Sequence, residues 1–206
     1  MIPLDGDCSV DNNMVDRMVQ QFINRDVIAS SGTLRVRNIN DSLISRMQGL
    51  EYMIGIHMSR TALAKFNAVN NISGAFGCFR KSFMKKTSLW RNGSAEDLDM
   101  TLRLQFLFRR HNHLRITHAP ESIVHTDAPT TIWSFIKQRM RWEGDIIFIY
   151  FRRHRTKLLP KYLGWKNWFF VIFSGVLLHG IQPILTAFGI IYILIVLPII
   201  PITSRI

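Results

Sequence analysis

The fold class is indicated by residues 1–7, whose sequence is MIPLDGD. We interpret the apolar residues 1–4 as the end of a buried strand, and Asp5-Gly6-Asp7 as the turn that follows it. In an open α/β sheet, ligands bind at the carboxyl ends of the strands. Two carboxylates at such an end suit Mg²⁺ or Mn²⁺ that also carries a phosphate ligand. An ordinary Asp-Gly turn is the alternative interpretation.

Beyond this turn, helical and strand patterns alternate along the chain, which predicts an α/β fold. The spacing of apolar residues predicts helices over 11–29, 41–67, 96–110 and 130–150, and short strands over 33–37, 114–119 and 123–126. The apolar residues of the long helix share one face, which consists of Leu43, Met47, Leu50, Ile54 and Met58.

Charge is distributed unevenly. The 206 residues include 26 Lys and Arg against 14 Asp and Glu, and every acid lies at or before Asp145. Residues 167–204 contain no Asp, Glu, Lys or Arg, and a basic stretch, 152–166, precedes them. We therefore predict one or two transmembrane helices within 167–203, interrupted near His179–Pro183, with the part before them in the cytoplasm. A buried hairpin in a soluble core is the alternative.

The composition also excludes two classes of protein. The net charge of +12 does not indicate a nucleic-acid partner, because no basic stripe interleaved with stacking aromatic residues occurs outside the basic stretch. Two cysteines, Cys8 and Cys78, are too few for a disulfide scaffold, and we expect both to be small packing residues.

Two further patterns carry chemical groups. Glu96-Asp97-Leu98-Asp99 places three acids at the start of a predicted helix. One of them could act as a general base, although capping and compensation of the helix dipole are the simpler explanation, and the one we prefer for Asp99.

Gln138, Arg141 and Trp142 share one helix face, because they stand at positions i, i+3 and i+4. An amide, a guanidinium and an indole together suit a phosphate and a sugar ring. An amphipathic interface helix is the alternative, in which Lys137 and Arg139 would only extend towards water.

The order of these patterns along the chain resembles the family 2 processive glycosyltransferases, the membrane synthases of cellulose, chitin, hyaluronan and poly-N-acetylglucosamine. The resemblance covers essentially the whole chain and includes the glycine-bearing stretch Ser73–Arg80. It implies a GT-A-like domain that transfers a sugar from a nucleotide-diphosphate sugar, such as a UDP-sugar, to a glycan acceptor, with inversion. The implied site residues are Asp5 and Asp7 for the divalent metal (Mg²⁺ or Mn²⁺) and the nucleotide diphosphate, Asp97 as general base with Glu96 beside it, and Gln138, Arg141 and Trp142 for the donor diphosphate and the acceptor.

Two departures from the family pattern stand out. Ala95 replaces the usual Thr before Glu-Asp, and the nucleotide-binding half that family members carry before Asp-x-Asp does not precede Asp5. We therefore expect the C-terminal half of a GT-A-like domain over 1–150, a basic interface segment over 151–166 and membrane helices over 167–203. The alternative function is an inactive remnant that serves as a membrane-anchored binding or assembly partner.

Overall fold

A four-stranded sheet organises the part of the chain that the computed structural model describes, residues 1–87 and 95–181. Its strands are β1 (Ser9–Val10), β2 (Val27–Val36), β3 (Gly77–Phe79) and β4 (Arg115–Thr126), in the spatial order β1-β4-β2-β3. The two long strands, β2 and β4, are parallel, whereas β1 and β3 pair antiparallel with them at either side. The carboxyl ends of β2 and β4 therefore meet at one edge of the sheet.

Helices connect and cover these strands. They are α1 (Met14–Gln20), α2 (Leu43–Tyr52), α3 (Ser59–Lys65), α4 (Lys81–Lys86), α5 (Glu96–Phe108), α6 (Ile132–Ile147), α7 (Pro160–Leu163) and α8 (Trp165–Phe170), with π-helical segments at Met53–Met58, Phe148–Arg153 and Val171–Ile181. The predicted helices over 96–110 and 130–150 are confirmed as α5 and α6, each to within a few residues at its ends.

Residues 1–4 differ from the prediction. They run beside β3, where Leu4 pairs with Phe76 and the backbones of Met1 and Phe79 exchange two hydrogen bonds of 3.0 and 2.9 Å. The segment therefore has a neighbouring strand, and Met1 and Leu4 are exposed rather than buried.

The predicted helix over 11–29 is wrong in its second half. α1 ends at Gln20, and β2 begins at Val27, six residues before the predicted strand. All but one of the ten residues of β2 are buried, so the apolar residues at its start do not alternate with polar ones. Ile23, counted on the helical face, is 80% exposed, whereas Met14 and Met18 on that face are buried.

The two predicted strands over 114–119 and 123–126 form one strand, β4. Its pairing with β2 shifts in register between Ala119 and Ile123, where three residues of β4 have no counterpart on β2. Such a bulge lets a strand continue through a proline, here Pro120.

The long helix predicted over 41–67 is confirmed in extent, but the face that it buries is not its predicted apolar face. Helical backbone runs from Leu43 to Lys65, and a capping box of Ser42 and Ser45 begins it. Its apolar face points outward, because the five residues of that face are 52% to 73% exposed. The buried side chains of this helix are instead polar or amphipathic: Ser45, Gln48, Tyr52 and Arg60.

The beginning of the uncharged run is helical. α8 and the segment Val171–Ile181 occupy it, and residues 182–203, on which the rest of the predicted membrane helices fall, lie outside the described residues. Across 1–87 and 95–181, no helix combines the length and the apolar character needed to cross a bilayer. The boundaries predicted at 150 and 166 stay a prediction.

The close approach of β2 to Phe76 gives a stability prediction. A Cβ added at Gly32 would lie 1.8 Å from Cε1 of the Phe76 ring, which is completely buried. We expect Gly32→Ala to lower the free energy of unfolding by about 1–3 kcal/mol, because the ring must leave its packed position. Urea unfolding would measure this. Gly6→Ala is the control, since nothing lies within 4 Å of its added Cβ, and an equal loss in both variants would contradict the prediction.

Candidate functional site

The turn Asp5-Gly6-Asp7 lies at the sheet edge where β2 and β4 end. The Cys8 N–H closes it by donating to the Asp5 carbonyl over 3.1 Å. Thr126, the last residue of β4, donates its hydroxyl to Asp7 Oδ2 over 3.4 Å. Both aspartates are exposed. The two carboxylates therefore reach solvent beside the carboxyl ends of β2 and β4, whereas the sequence predicted them at the end of a buried strand over residues 1–4.

Arg37, the residue after β2, fixes this turn to the segment that leads into α6. Its guanidinium donates to the Asp7 carbonyl over 3.1 Å and, through Nε and Nη2, to both oxygens of Asp127 over 2.9 and 2.6 Å. The side-chain amide of Asn38 and the backbone of Ala128 exchange two more hydrogen bonds. The turn and the start of α6 are thus held together through the end of β2.

The start of α5 packs against the glycine-bearing stretch. Asp97 Oδ2 accepts from the Gly74 N–H over 2.9 Å, and the Thr101 hydroxyl oxygen accepts from the Ile72 N–H over 3.0 Å. Ala95 precedes the helix in the left-handed region, with φ of 56°, and provides no side-chain cap. Asp97 is half-buried, and the backbone N–H of Gly74, in the glycine-bearing stretch, orients its carboxylate.

Electrostatic coupling shows that the turn, α5 and α6 share one environment. Partial burial raises the pKa of Asp5, the negative charges of Asp7 and Asp97 raise it further, and Arg141 opposes them. Burial likewise raises the pKa of Asp145, with Arg141 opposing and Asp97 adding to the shift. Arg141 therefore acts on carboxylates of the turn and of α6, and Asp97 of α5 acts on the same two groups.

Glu96 belongs to the same group. Burial raises its pKa, and the charges of Asp97, Asp5 and Asp145 add to the shift. This excess of negative charge is what a dication would relieve. In residues 1–87 and 95–181 no three or more His, Cys, Asp or Glu side chains are arranged to hold a metal ion. A metal at Asp5 and Asp7 would therefore need oxygens from a bound ligand, as Mg²⁺ commonly does with substrate phosphates.

The three predicted residues of α6 have different surroundings. Arg141 is exposed and interacts with the Asp5 and Asp145 carboxylates. Trp142 is half-buried and packs against the apolar cluster that Cys8 and Ala75 also contact. Gln138, by contrast, accepts a hydrogen bond from the Gln48 side chain of α2 over 3.0 Å. The structure thus turns Arg141 and Trp142 towards the turn and the glycine-bearing stretch, and Gln138 towards α2.

Two residues of this region were missed in the sequence. Asp145 stands four residues after Arg141 on α6, and that spacing on one helix face was a usable signal. Arg37 had no local signal, because its partners, Asp7 and Asp127, are far from it in sequence.

The two cysteines are packing residues, as expected. Cys78 belongs to the apolar cluster against which Trp142 packs, and Cys8 contacts that cluster. Burial raises the pKa of both thiols.

Asp99 does not have the capping role preferred for it. Its side chain is completely buried and faces two arginines and a histidine, with Arg103 Nε at 2.9 Å, Arg153 Nε at 3.3 Å and His154 Nε2 at 2.6 Å. Burial alone would raise the pKa of Asp99, but the hydrogen bond from His154 and the arginine charges hold it below its ordinary value. Asp99 therefore joins α5 to the segment that follows α6.

Comparison with known proteins agrees with this arrangement of motifs. A family model described as glycosyl transferase family group 2 matches residues 2–202. The chain belongs to that family. The resemblance predicted from the sequence is confirmed at this level, and the mixed α/β architecture fits the GT-A-like domain expected of it.

Several curated proteins are similar to this chain. An N-acetylglucosaminyltransferase of Neorhizobium galegae is 28% identical over 148 residues, which are 69% of this chain and 34% of the relative. Poly-beta-1,6-N-acetyl-D-glucosamine synthases of Staphylococcus epidermidis and Staphylococcus aureus are 29% and 28% identical over 141 and 166 residues. These alignments cover 68% and 78% of this chain, and 33% and 39% of the relatives. The chain thus spans little more than a third of the length of the relatives it matches.

Proposed function

We propose that the protein acts in a membrane-bound glycosyltransferase that transfers a hexose or N-acetylhexosamine from a nucleotide-diphosphate sugar to a glycan acceptor. The observation that carries this proposal is that the charges of Asp97 and Arg141 both act on Asp5, whose turn is bonded to the carboxyl ends of β2 and β4. N-acetylglucosamine from a UDP-sugar is the first donor to test, because the curated relatives are named for that sugar.

In the proposed reaction, Asp97 accepts the proton of the acceptor hydroxyl as that oxygen attacks the anomeric carbon. The bond from this carbon to the diphosphate breaks on the opposite face, so the configuration inverts. Arg141 is exposed and free to approach the departing phosphates, whose negative charge it would stabilise. Glu96, the neighbour of Asp97 at the start of α5, is half-buried and would support the base from the same helix turn.

Asp5 and Asp7 would hold Mg²⁺ or Mn²⁺ together with the donor diphosphate. The raised pKa of Asp5 fits this assignment, because partial burial and the negative charges of Asp7 and Asp97 disfavour its anionic form, and a bound cation would favour it. When bound, such an ion supplies Lewis-acid stabilisation of the diphosphate. Trp142 offers the apolar face of its indole to the acceptor sugar, and Gln138 sits one helical turn before it.

The test uses membranes from cells that express the protein. Labelled UDP-N-acetylglucosamine and UDP-glucose are supplied with Mg²⁺, with Mn²⁺ or with excess chelator, and both the released nucleoside diphosphate and the glycan-bound label are measured. We expect release with one of the two sugars, and loss of release on chelation. No release from either donor, together with retained binding of nucleotide sugar, would contradict the proposal and favour the inactive binding partner.

Membrane attachment is part of this proposal. The uncharged run begins with exposed apolar side chains, among which the rings of Phe169 and Phe173 are stacked 5.7 Å apart. Trp165, at the end of the basic stretch, is 75% exposed, as suits an aromatic residue at a membrane interface. The outward apolar face of the 43–65 helix is a further exposed apolar patch of the kind that marks a membrane or protein contact.

We expect the protein to stay in the membrane pellet after an alkaline carbonate wash. Replacing Phe169 and Phe173 together with Lys should increase the released fraction, because each added charge disfavours transfer of the start of the run into lipid. Ile23→Lys is the control, since this residue is 80% exposed and lies outside the run. Equal retention of the double variant and the control would count against a membrane role for this run.

A further inference from the structure

Arg139 of α6 makes contacts that the proposed reaction does not use. Its Nη1 and Nη2 atoms donate to the two carboxylate oxygens of Glu51 on α2, over 2.6 and 2.5 Å. The guanidinium carbon also lies 4.7 Å from the ring centroid of Trp142 and 4.8 Å from that of Phe135. One planar cation is therefore held by a carboxylate on one helix and lies over two aromatic rings of another.

The position of the Arg139 guanidinium matters more for the two aromatic rings beneath it than for the stability of the fold. An ion pair with a half-exposed carboxylate contributes little to stability, because water screens it. The buried Nε of Arg139 has no hydrogen-bond partner within the described residues. The guanidinium thus directs its two Nη atoms to Glu51, and its face covers the rings of Phe135 and Trp142.

A second polar contact makes the attachment of α6 to α2 stiffer. Gln48 Nε2 donates to Gln138 Oε1 and to the Tyr52 hydroxyl, each over 3.0 Å. Tyr52 and Gln48 are buried, so this contact is shielded from water. Two adjacent positions of α6, 138 and 139, are therefore fixed to α2, and the rotation of α6 about its axis is fixed with them.

We propose that Arg139, held by Glu51, is a positioning residue that fixes the indole of Trp142 in the orientation that receives the acceptor sugar. This inference rests on the proposed function, because it assigns the acceptor to Trp142. A bidentate pair fixes both the plane and the rotation of the guanidinium, and a cation over a ring fixes that ring in turn. Lysine could not do the same, because its ammonium is a single point of charge without a planar fork.

The test compares Arg139→Met, Arg139→Lys and Glu51→Gln with the parent protein in the same membranes. Each variant should raise the KM for a glycan acceptor about tenfold, the size expected for a lost aromatic contact. The KM for the nucleotide sugar and the kcat at saturating acceptor should stay within about twofold. Lys137→Met is the matched control, because Lys137 is exposed on the same helix and should leave all three constants unchanged.

A spectroscopic measurement separates positioning from activity. The protein is labelled with fluorotryptophan, and the fluorine NMR resonance of Trp142 is assigned by its loss in Trp142→Phe. We expect this resonance to shift and broaden in Arg139→Met and Glu51→Gln, and to stay in place in Lys137→Met. If Arg139→Met does not fold, Arg139→Lys and Glu51→Gln answer the same question.

The outcomes distinguish this inference from the proposed function. An unchanged Trp142 resonance in the Arg139 and Glu51 variants would overturn the positioning role, whether or not the enzyme turns over. Parallel increases in donor and acceptor KM would also overturn it, because they would indicate a general disturbance of α6. A shifted resonance in a protein without any transferase activity would support the positioning of the indole and overturn its assignment to an acceptor.

Discussion

Replacing Asp97 with asparagine should abolish sugar transfer and leave the fold intact. Asparagine keeps a carbonyl oxygen that can accept the Gly74 N–H, so the contact between α5 and the glycine-bearing stretch survives. It cannot accept a proton from the acceptor hydroxyl. We therefore expect the rate of nucleoside diphosphate release with acceptor to fall about a hundred- to ten-thousandfold, the range typical for loss of a general base.

The control for this variant is Asp16→Asn. Asp16 is an exposed acid on α1 that takes no part in the site, so the same change of charge should leave the rate unchanged. Glu96→Gln should lose less activity than Asp97→Asn, since Glu96 only supports the base. If Asp97→Asn is as active as the parent, the base is another member of the carboxylate group, and Glu96 and Asp145 become the candidates to test.

Asp99→Asn, only two residues further on, should instead destroy stability. The substitution leaves Arg103, Arg153 and His154 around a neutral amide in a fully buried position. Breaking a buried ion pair by removal of one partner costs about 3–5 kcal/mol, because the remaining charges are not compensated. We expect a decrease of that size in the free energy of unfolding, measured with urea, and no decrease for Asp16→Asn. An Asp99→Asn protein as stable as the parent would contradict the role of Asp99 as a buried ion-pair centre.

The same residue gives a pH dependence with a definite sign. The folded protein holds the pKa of Asp99 below the ordinary aspartate value, so Asp99 stabilises the fold at any pH above that ordinary value. This contribution is lost as the pH falls below about 4, towards the pKa of the folded state. The stability difference between the parent and Asp99→Asn should therefore be constant at neutral pH and shrink in acid. A difference that grows in acid would contradict this assignment.

Part of the fold was predictable because it depends on local spacing. α5 and α6 were placed correctly, since their apolar residues recur with helical period and each begins near a recognisable signal. β2 was placed too late, because a strand buried on both faces has no alternation to detect. Val27 and Ile28 therefore looked like the continuation of the preceding helix.

The candidate site was predictable in its members but not in its contacts. Asp5, Asp97 and Arg141 were named from motifs, and the structure brings them into one electrostatic group. Gln138 was named with them, yet it bonds to Gln48 of α2. Arg139 had a role only in the alternative interpretation, as a cation extending to water, yet it pairs with Glu51 and covers Trp142.

The sequence by itself determined the family, the types and order of the reactive side chains, and the uncharged run that follows them, because these depend only on residue identity and spacing. Only the tertiary structure decided which way each face points. The 43–65 helix turns the five residues of its predicted apolar face outward. Its inner side meets polar partners, such as Ser31 for Arg60 and Gln138 for Gln48, and it reaches the apolar clusters through Tyr52, Ile56 and Leu63. Asp99 is an ion-pair centre rather than a cap because residues 153 and 154, far along the chain, fold back onto α5. A helical period specifies that two faces exist, and the segments packed against them specify which one is buried.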